Sequence, residues 1–369
     1  MEGASGIYVF PQATVSWRKI LRSQQNRQEG AGTGEVGRQL SDTTGSRGVR
    51  SDSESEGKVR RTRPSLTDRL GPRSLPYLLL VPALIFELLI HIIPMAVGVA
   101  VGFFQLNQFY IRNWLNAPFV GLQNFRIALN FDELIGGALL HSLLITSAFT
   151  VLVVGLSWVF GLAAALLVNS EFRGRGWFRA LFLIPYALPV YVAVIGWKFM
   201  LQEQSGAVNA LLVDLLHVMD HEPFWLLGNT AFWSMVMTSL WTFWPFAFLI
   251  LLAGLQNIPQ ELYDAARVDG ASRWRQFRSI TLPLLRPVSL VLVLALFLWT
   301  FNDFNVPYVL FGPAPPSSAE LISLHIYINS FVNWNFGLGA AMSVMLLLFL
   351  IIVSVIYVRA LRVGSQINE

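Results

Sequence analysis

The chain contains no cysteine and few charged residues. Without cysteine, disulfides, thiol catalysis and cysteine-based metal sites are excluded. Only 13% of the 369 residues are charged, whereas 54% are hydrophobic, and an ordinary soluble domain carries roughly 25% charged residues. Because so little polar surface cannot face water on all sides, we expect a lipid bilayer to provide much of the solvent for this protein.

Lysine is scarce as well, and this excludes a nucleotide-binding loop. A P-loop needs a glycine-rich turn followed by a lysine that contacts the phosphates, and none of the three lysines, Lys19, Lys58 and Lys198, follows such a turn. His217 and His221 have helical metal-ligand spacing, but the rest of a metalloprotease signature is missing. The sequence therefore predicts no cofactor and no metal bound by this chain.

Residues 1–74 are rich in Gly, Ser, Arg and Gln and show no hydrophobic period. Such a segment buries too little apolar surface to offset the entropy of ordering. We interpret it as a disordered, basic cytoplasmic tail. Its basic run at residues 58–63 either meets anionic lipid or is plain solvated chain, or the segment follows a start codon assigned too early. It has no apolar stretch of the length that a cleaved signal peptide needs.

Six long apolar runs follow the tail. They are long enough to cross roughly 30 Å of hydrocarbon as helices, and unpaired backbone groups exclude irregular chain from lipid. The predicted spans are residues 76–104, 139–168, 181–201, 230–255, 284–311 and 337–358. We therefore predict an all-α polytopic membrane protein with six transmembrane helices in one domain over residues 75–363.

Lysine and arginine are sorted between the two ends of the spans. They concentrate in the tail, in alternate connections and after the last span, whereas the opposite side holds only Arg112, Arg126 and Lys198. Basic connections stay in the cytoplasm. We expect a multi-pass protein of the cell (inner or plasma) membrane with both termini cytoplasmic. The net charge of +4 reflects this sorting and does not indicate a nucleic-acid partner.

The connection at residues 259–283, between the fourth and fifth spans, is charged and patterned. It reads PQELYDAARVDGASRWRQFRSITLP. Leu262, Ala265 and Ala266 have the spacing of one helix face, and Asp269-Gly270 is a turn signal. A second short helix, capped by a serine, follows the turn. The pattern predicts a helix–turn–helix on the cytoplasmic membrane surface, although composition alone also allows a solvated amphipathic loop.

The stretch DAARVDGASRWRQFRSITLP, residues 264–283, resembles the "EAA" loop of permease subunits in binding-protein-dependent ABC importers. One departure is Asp264, where the name of the loop implies glutamate; the charge is kept and its reach is one methylene shorter. The flanking residues and FRGRGWFRALFLIPYALP, residues 172–189, look like the carbohydrate-uptake branch, the relatives of the maltose and glycerol-phosphate importers. The resemblance extends over residues 75–363, with a core at about 139–358.

This resemblance implies a type I ABC importer permease fold and a set of partners. The loop would couple to a cytoplasmic ATPase, with two ATPase subunits carrying ATP and Mg²⁺. A second permease subunit in a hetero-dimer and an extracytoplasmic solute-binding protein would complete the importer. The residues implied in ATPase coupling are Glu261, Asp264, Ala265, Ala266, Gly270, Phe277 and Pro283.

The stretch WTFNDFNVPY, residues 299–308, places polar groups near the outer end of the fifth span, where polar residues are functional candidates. Amides and a carboxylate can bind hydroxyls, and aromatic rings can stack on the CH faces of sugars. The candidate solute-path residues are Trp299, Asn302, Asp303, Asn305 and Tyr308, with Tyr191, Trp241 and Trp244 as further members. Helix-end capping and an interfacial aromatic belt are the alternative explanation.

The function expected is therefore that of a membrane permease subunit of an ATP-driven importer for a sugar or sugar-like solute. An ATP-independent secondary transporter would need ionisable groups at mid-membrane, and only Glu87 with His91 in the first span suggests one. A polytopic membrane enzyme is disfavoured, because no span carries paired carboxylates or a nucleophile with a base.

The expected topology can be tested with single cysteines, since the chain has none. In intact cells, an impermeant thiol reagent should label a cysteine placed at Ser318 and should leave cysteines at Gly45 and Ser272 unlabelled. The reverse pattern of labelling contradicts the six-span arrangement with cytoplasmic termini.

Overall fold

The computed structural model describes residues 75–366, so the tail predicted for residues 1–74 lies outside the described residues. Within this range the chain is helical. Its α-helices, numbered α1 to α14, are Leu75–Glu87, Ile93–Val101, Gln123–Leu129, Leu134–Asn169, Arg175–Ala187, Val190–Met200, Ala207–Asn209, Thr230–Gln256, Gln260–Val268, Arg273–Gln276, Leu282–Phe301, Asn305–Phe311, Ile322–Tyr327 and Phe336–Gln366. π-Helical turns lie at Leu88–Ile92, Ala210–Leu215, Phe277–Thr281 and Ile328–Val332, and 3₁₀ turns at Ile111–Asn116 and Ser317–Ala319.

Five helical stretches in the described residues are long and apolar enough to cross a membrane. They are Leu79–Val101, Leu134–Asn169, Thr230–Gln256, Arg273–Phe311 and Phe336–Leu361. Each overlaps one of the predicted spans, and the all-helical fold class is confirmed. The continuous apolar runs form helices because a helix pairs its own backbone groups within the segment.

The third predicted span, residues 181–201, is not one straight helix. It consists of the end of α5 and the whole of α6, and the two helices meet at 90°. Leu188 at the junction is extended, with ψ at 139°, and Pro189 follows it. Proline clashes with a helical conformation of the residue before it, so the bend has a local cause in the Leu188-Pro189 step.

The first span is the least covered. No residue of its apolar window is buried in the described part of the chain, and the π turn Leu88–Ile92 interrupts it. Glu87 and His91 pair across this turn at 3.1 Å, as their spacing suggests, but both side chains are more than half exposed. The pair therefore lies on the outside of the subunit and not within the helix bundle.

The centre of the bundle is the packing of α4 against α8. The largest buried cluster contains Leu162, Phe248 and Leu251 from these two helices, with Leu285 and Leu292 from α11. Gly161 allows the close approach, because a Cβ there would lie 2.7 Å from the backbone nitrogen of Phe248.

We expect Gly161→Ala to destabilise the protein, since added atoms in a packed contact cost about 1–3 kcal/mol. Gly155→Ala on the same helix is the matched control, because a Cβ at Gly155 meets no atom within 4 Å. The melting temperature of the purified protein in detergent should fall for Gly161→Ala alone. Equal melting temperatures for the two variants would contradict the close packing of α4 on α8.

Candidate functional site

The insert between the fourth and fifth spans is a helix–turn–helix, as the sequence predicts. Pro259 precedes α9, the Gln260–Val268 helix, and Ser272 caps α10 by accepting a hydrogen bond from the backbone N–H of Arg275 at 3.4 Å. The two helices are therefore separated by a four-residue connection, residues 269–272. Ser272 at its end is the N-cap of the second helix.

Gly270 makes the reversal between the two helices. Its φ is +74°, a left-handed conformation that residues with a Cβ rarely adopt. The backbone N–H of Gly270 bonds the carbonyl oxygen of Arg267 at 3.1 Å, and that of Ala271 bonds the carbonyl oxygen of Ala266 at 2.9 Å. These two bonds form a Schellman motif. The backbone conformation therefore explains why this position is a glycine.

Two contacts tie the insert to the membrane helices. The hydroxyl of Tyr263 lies 3.0 Å from the buried hydroxyl of Thr281, where the π turn leads into α11. Phe277 packs against the α4–α8–α11 cluster, and Trp274 stacks on it with ring centroids 5.5 Å apart. The insert is therefore joined to the start of α11 by side-chain contacts as well as by the continuous backbone.

The insert presents apolar side chains outward. Leu262 is 43% exposed, Trp274 is 69% exposed and Val268 is 88% exposed. The sequence reasoning selected Leu262 for the docking face, gave Trp274 no role there and missed Val268. The sequence does carry a signal for such residues, because an apolar side chain in a highly charged segment indicates a packing or binding contact. Exposed apolar groups on one projection are typical of an interaction surface.

The charged residues of the insert are at its surface. Asp264 and Arg267 form an ion pair within α9, and both side chains are more than half exposed. Glu261 is exposed, and Pro283 is an exposed residue at the start of α11. The Asp264 carboxylate thus has a partner in its own helix, which holds it at the surface in a defined position.

The polar cluster of the fifth span coincides with a break in the helix. α11 ends at Phe301 and α12 begins at Asn305. Asp303 lies in the break and is 8% exposed. Its Oδ1 accepts hydrogen bonds from the backbone N–H groups of Asn305 at 3.0 Å and Val306 at 3.3 Å. Asp303 therefore caps α12, which is the alternative role considered from the sequence.

Asn302 differs from Asp303 because its side chain is exposed. It donates one hydrogen bond to the carbonyl oxygen of Leu298 at 2.9 Å and lines a groove of about 690 Å³ between α11 and α14. Ser323, Ser343 and Ser354 also line this groove. A groove with one amide and three hydroxyls at membrane depth can bind a polar solute by hydrogen bonds.

The second pieces of the two broken spans, α6 and α12, are joined to each other. Tyr191 near the start of α6 donates to Oδ1 of Asn305 at the start of α12, at 2.9 Å. Lys198 near the end of α6 donates to the carbonyl oxygen of Val309 in the last turn of α12, at 2.8 Å. A cation at a helix C-terminus is favourable, and α12 thus has Asp303 at one end and Lys198 at the other. The sequence reasoning used Lys198 only as a basic residue of the outer side.

Aromatic side chains surround the break, but they are not one cluster. Tyr308 stacks on Phe304 at 4.9 Å and meets Tyr327 edge-on at 5.3 Å. Trp299 packs on Phe246 at 5.0 Å.

The other predicted aromatic residues have different neighbours. Trp241 meets Trp197 edge-on at 6.0 Å. Trp244 packs on Phe182 and Phe248 at the bundle centre. The structure therefore brings Tyr191 to the break and places Trp244 in the core.

Known proteins are similar to this chain. The family described as "Binding-protein-dependent transport system inner membrane component" matches residues 157–362. The "Trehalose/maltose transport system permease protein MalF" of Thermococcus litoralis is 33% identical over 303 residues, which cover 81% of this chain and 98% of that protein. The "Inner membrane ABC transporter permease protein YcjO" of Escherichia coli is 34% identical over 302 residues, with the same coverage.

A solved structure has the same fold. A chain of a bacterial ABC transporter involved in the import of the acidic polysaccharide alginate superposes with a TM-score of 0.66 at 21% identity, over 80% of this chain and 97% of that one. The family match covers more than half of the chain, and the relatives cover most of it. This chain therefore belongs to the binding-protein-dependent transport system inner membrane components, the permease subunits of ABC importers.

Proposed function

We propose that this permease subunit forms half of the translocation path for a sugar or sugar-like solute and is coupled to a separate ATPase. The observation that carries the proposal is the helix–turn–helix insert, projecting from α8 and α11 with exposed apolar groups. The sugar is supported by the relatives, since one similar protein is named for trehalose and maltose and another for sn-glycerol-3-phosphate. The alternative of a secondary transporter is weakened, because Glu87 and His91 face outward.

ATP and Mg²⁺ belong to the partner in this proposal. Two cytoplasmic ATPase subunits would bind the nucleotide, one of them against this insert and the other against a second permease. Leu262, Ala265 and Ala266 would bury their apolar surface in the ATPase. Charged groups at the edge of this contact, such as Asp264, would contribute more to the alignment of the insert on the ATPase than to the affinity.

A second permease subunit has a natural place along the first span. That span is apolar and unburied in the described residues, yet it carries the exposed Glu87–His91 pair. An ionisable pair facing hydrocarbon is costly, and such groups normally face protein or water. A partner subunit packed on this helix would cover the pair, and a hetero-dimer would then form the complete path.

The solute path would pass the break between α11 and α12. The termini and the insert would lie in the cytoplasm. An extracytoplasmic solute-binding protein would dock on the opposite side of the membrane. Asn302 supplies an exposed amide at the break, and the two breaks provide hinges. Because Tyr191 and Lys198 join α6 to α12, the two outer helices would move as one unit when ATP-driven motion of the insert reaches α11. Alternating access requires such rigid-body movement about hinges.

We expect Gly270→Val and Ala266→Trp to abolish ATP-driven uptake while the spans still insert. Valine strains a backbone with φ of +74°, and tryptophan enlarges the docking face. In the purified importer, the ATPase subunit should dissociate, or ATP hydrolysis should continue without solute movement.

Gly228→Val is the matched control for backbone strain, because Gly228 also has a positive φ, +56°, with no atom near its Cβ position, and it lies outside the insert. Normal uptake in Gly270→Val and Ala266→Trp, with the ATPase still bound, would contradict the coupling role.

We expect Asn302→Ala to raise the apparent KM for uptake by roughly ten- to a hundredfold, since a lost buried hydrogen bond to a ligand costs about 1–3 kcal/mol. Protein abundance should stay normal. Asp303→Ala should also change uptake, but with lower abundance, because it removes a helix cap that contributes about 1 kcal/mol.

Asn113→Ala, a change of another exposed asparagine between the first two long spans, is the control. Unchanged uptake kinetics in Asn302→Ala and Asp303→Ala, for every transported solute, would show that the path does not use this site.

A further inference from the structure

A second groove lies on another side of the bundle, between α4, α11 and α14. Its volume is about 490 Å³, within the range of roughly 300–1,000 Å³ that is typical of small-molecule sites. Gly155 and Trp158 line it from α4, Val293 and Phe297 from α11, and Tyr357 from α14. Nothing described above, neither the coupling insert nor the break in the fifth span, uses this groove.

The lining is almost entirely apolar. Thr150 and Tyr357 carry its hydroxyl groups. The hydroxyl of Tyr357 is already engaged, because it donates to the carbonyl oxygen of Leu290 at 2.8 Å and so joins α14 to α11 at one end of the groove. The hydroxyl of Thr150 is buried and has no hydrogen-bond partner among the described residues, so it is the one polar group that the lining leaves unengaged. The groove therefore suits a hydrocarbon ligand and offers little to a sugar.

The end of the groove nearest the insert lies close to the middle of the bilayer. Trp158 is eleven residues before the end of α4 at Asn169, which corresponds to about 16 Å along a helix. Val293 is eleven residues after the start of α11 at Leu282, which is the same depth from the same side. One leaflet of a bilayer contributes about 15 Å of hydrocarbon, so Trp158 and Val293 are at the depth that the ends of lipid tails reach.

One arginine lies directly in line with the groove. Arg286, Leu290, Val293 and Phe297 are spaced by four, three and four residues and share one face of α11. Arg286 is exposed, and among the residues that the structure describes it forms no ion pair. The Cα of Arg286 is about 10 Å along the helix axis from that of Val293, on the side of the insert. A phosphate is the anion that a guanidinium binds best at a membrane surface.

We propose that this groove binds one acyl chain of a phospholipid from the leaflet next to the insert, with the lipid phosphate paired to Arg286. The chain and the phosphate of one lipid have the separation that the groove and Arg286 require. A helix of a partner subunit fits less well, because a helix is about 10–12 Å wide and 490 Å³ would hold only about one turn of it. The lipid contacts α11, the helix that leads from the insert to the break.

Trp158 reports directly on the occupant of the groove. The intact importer is reconstituted in phosphatidylglycerol vesicles, with ordinary or with brominated acyl chains, since bromine quenches tryptophan fluorescence on contact. The quenching in the wild type minus that in Trp158→Phe isolates the signal of Trp158. We expect Trp158 to be quenched, and we expect Gly155→Leu to remove at least half of this quenching by filling the groove, because a Cβ at Gly155 meets no atom within 4 Å.

Arg286→Gln tests the phosphate contact. After extensive detergent washing, the phospholipid retained per complex should fall at least twofold in Arg286→Gln and in Gly155→Leu. Arg359→Gln is the matched control, because Arg359 is an exposed arginine two residues after Tyr357 and so points about 200° away from the groove. It should retain as much lipid as the wild type.

Three results would overturn the proposal. The first is equal Trp158 fluorescence in brominated and in ordinary lipid. The second is equal lipid retention in Gly155→Leu, Arg286→Gln and the wild type. The third is release of the second permease subunit from the importer by Gly155→Leu, which would show that a protein helix and not a lipid occupies the groove.

Discussion

Backbone hydrogen bonding within lipid is the constraint on which the rest of this structure depends. A peptide group that crosses hydrocarbon needs an internal partner, and this requirement accounts for the long α4, α8 and α14 helices. It also means that every interruption of a membrane helix frees N–H or carbonyl groups, and a neighbouring residue must then bind them. The two interruptions that matter are the bend at Leu188-Pro189 and the break between Phe301 and Asn305.

The groups released at the break, and at the far end of α12, are bound by specific side chains. Asp303 accepts from the first N–H groups of α12, Lys198 donates to a carbonyl in its last turn, and Ser323 donates to the carbonyl oxygen of Asp303 at 2.6 Å. The polar residues at the end of the fifth span remote from the insert therefore have a structural role first. Asn302 is the exception, because its amide is exposed on the α11–α14 groove and remains accessible to a solute.

The insert and the break are two ends of one helix. α11 starts where Thr281 and Phe277 hold the insert to the bundle, and it ends at Phe301, directly before the break. Its middle is fixed by the α4–α8–α11 cluster and its outer neighbour α12 is bound to α6. In the proposed mechanism, a displacement of the insert would be carried along α11 to the break.

The sequence by itself determined the elements whose causes are local. Apolar runs predicted the spans, the DAARVDGASRWRQFRSITLP pattern predicted the helix–turn–helix, and the glycine at position 270 predicted a reversal that requires positive φ. The order of the chain also placed the insert between two spans. These features follow from periodicity and backbone preference, which neighbouring residues alone establish.

Only the tertiary structure decided which distant groups meet. No pattern in the sequence shows that Lys198 reaches Val309, that Tyr191 reaches Asn305, or that Asp303 turns its carboxylate to a helix end while Asn302 faces a groove. Nor could hydropathy separate a straight third span from two helices at 90°, because both bury similar apolar residues. Contacts between residues about a hundred positions apart depend on how helices pack, and packing is decided by the shapes of all the facing side chains together.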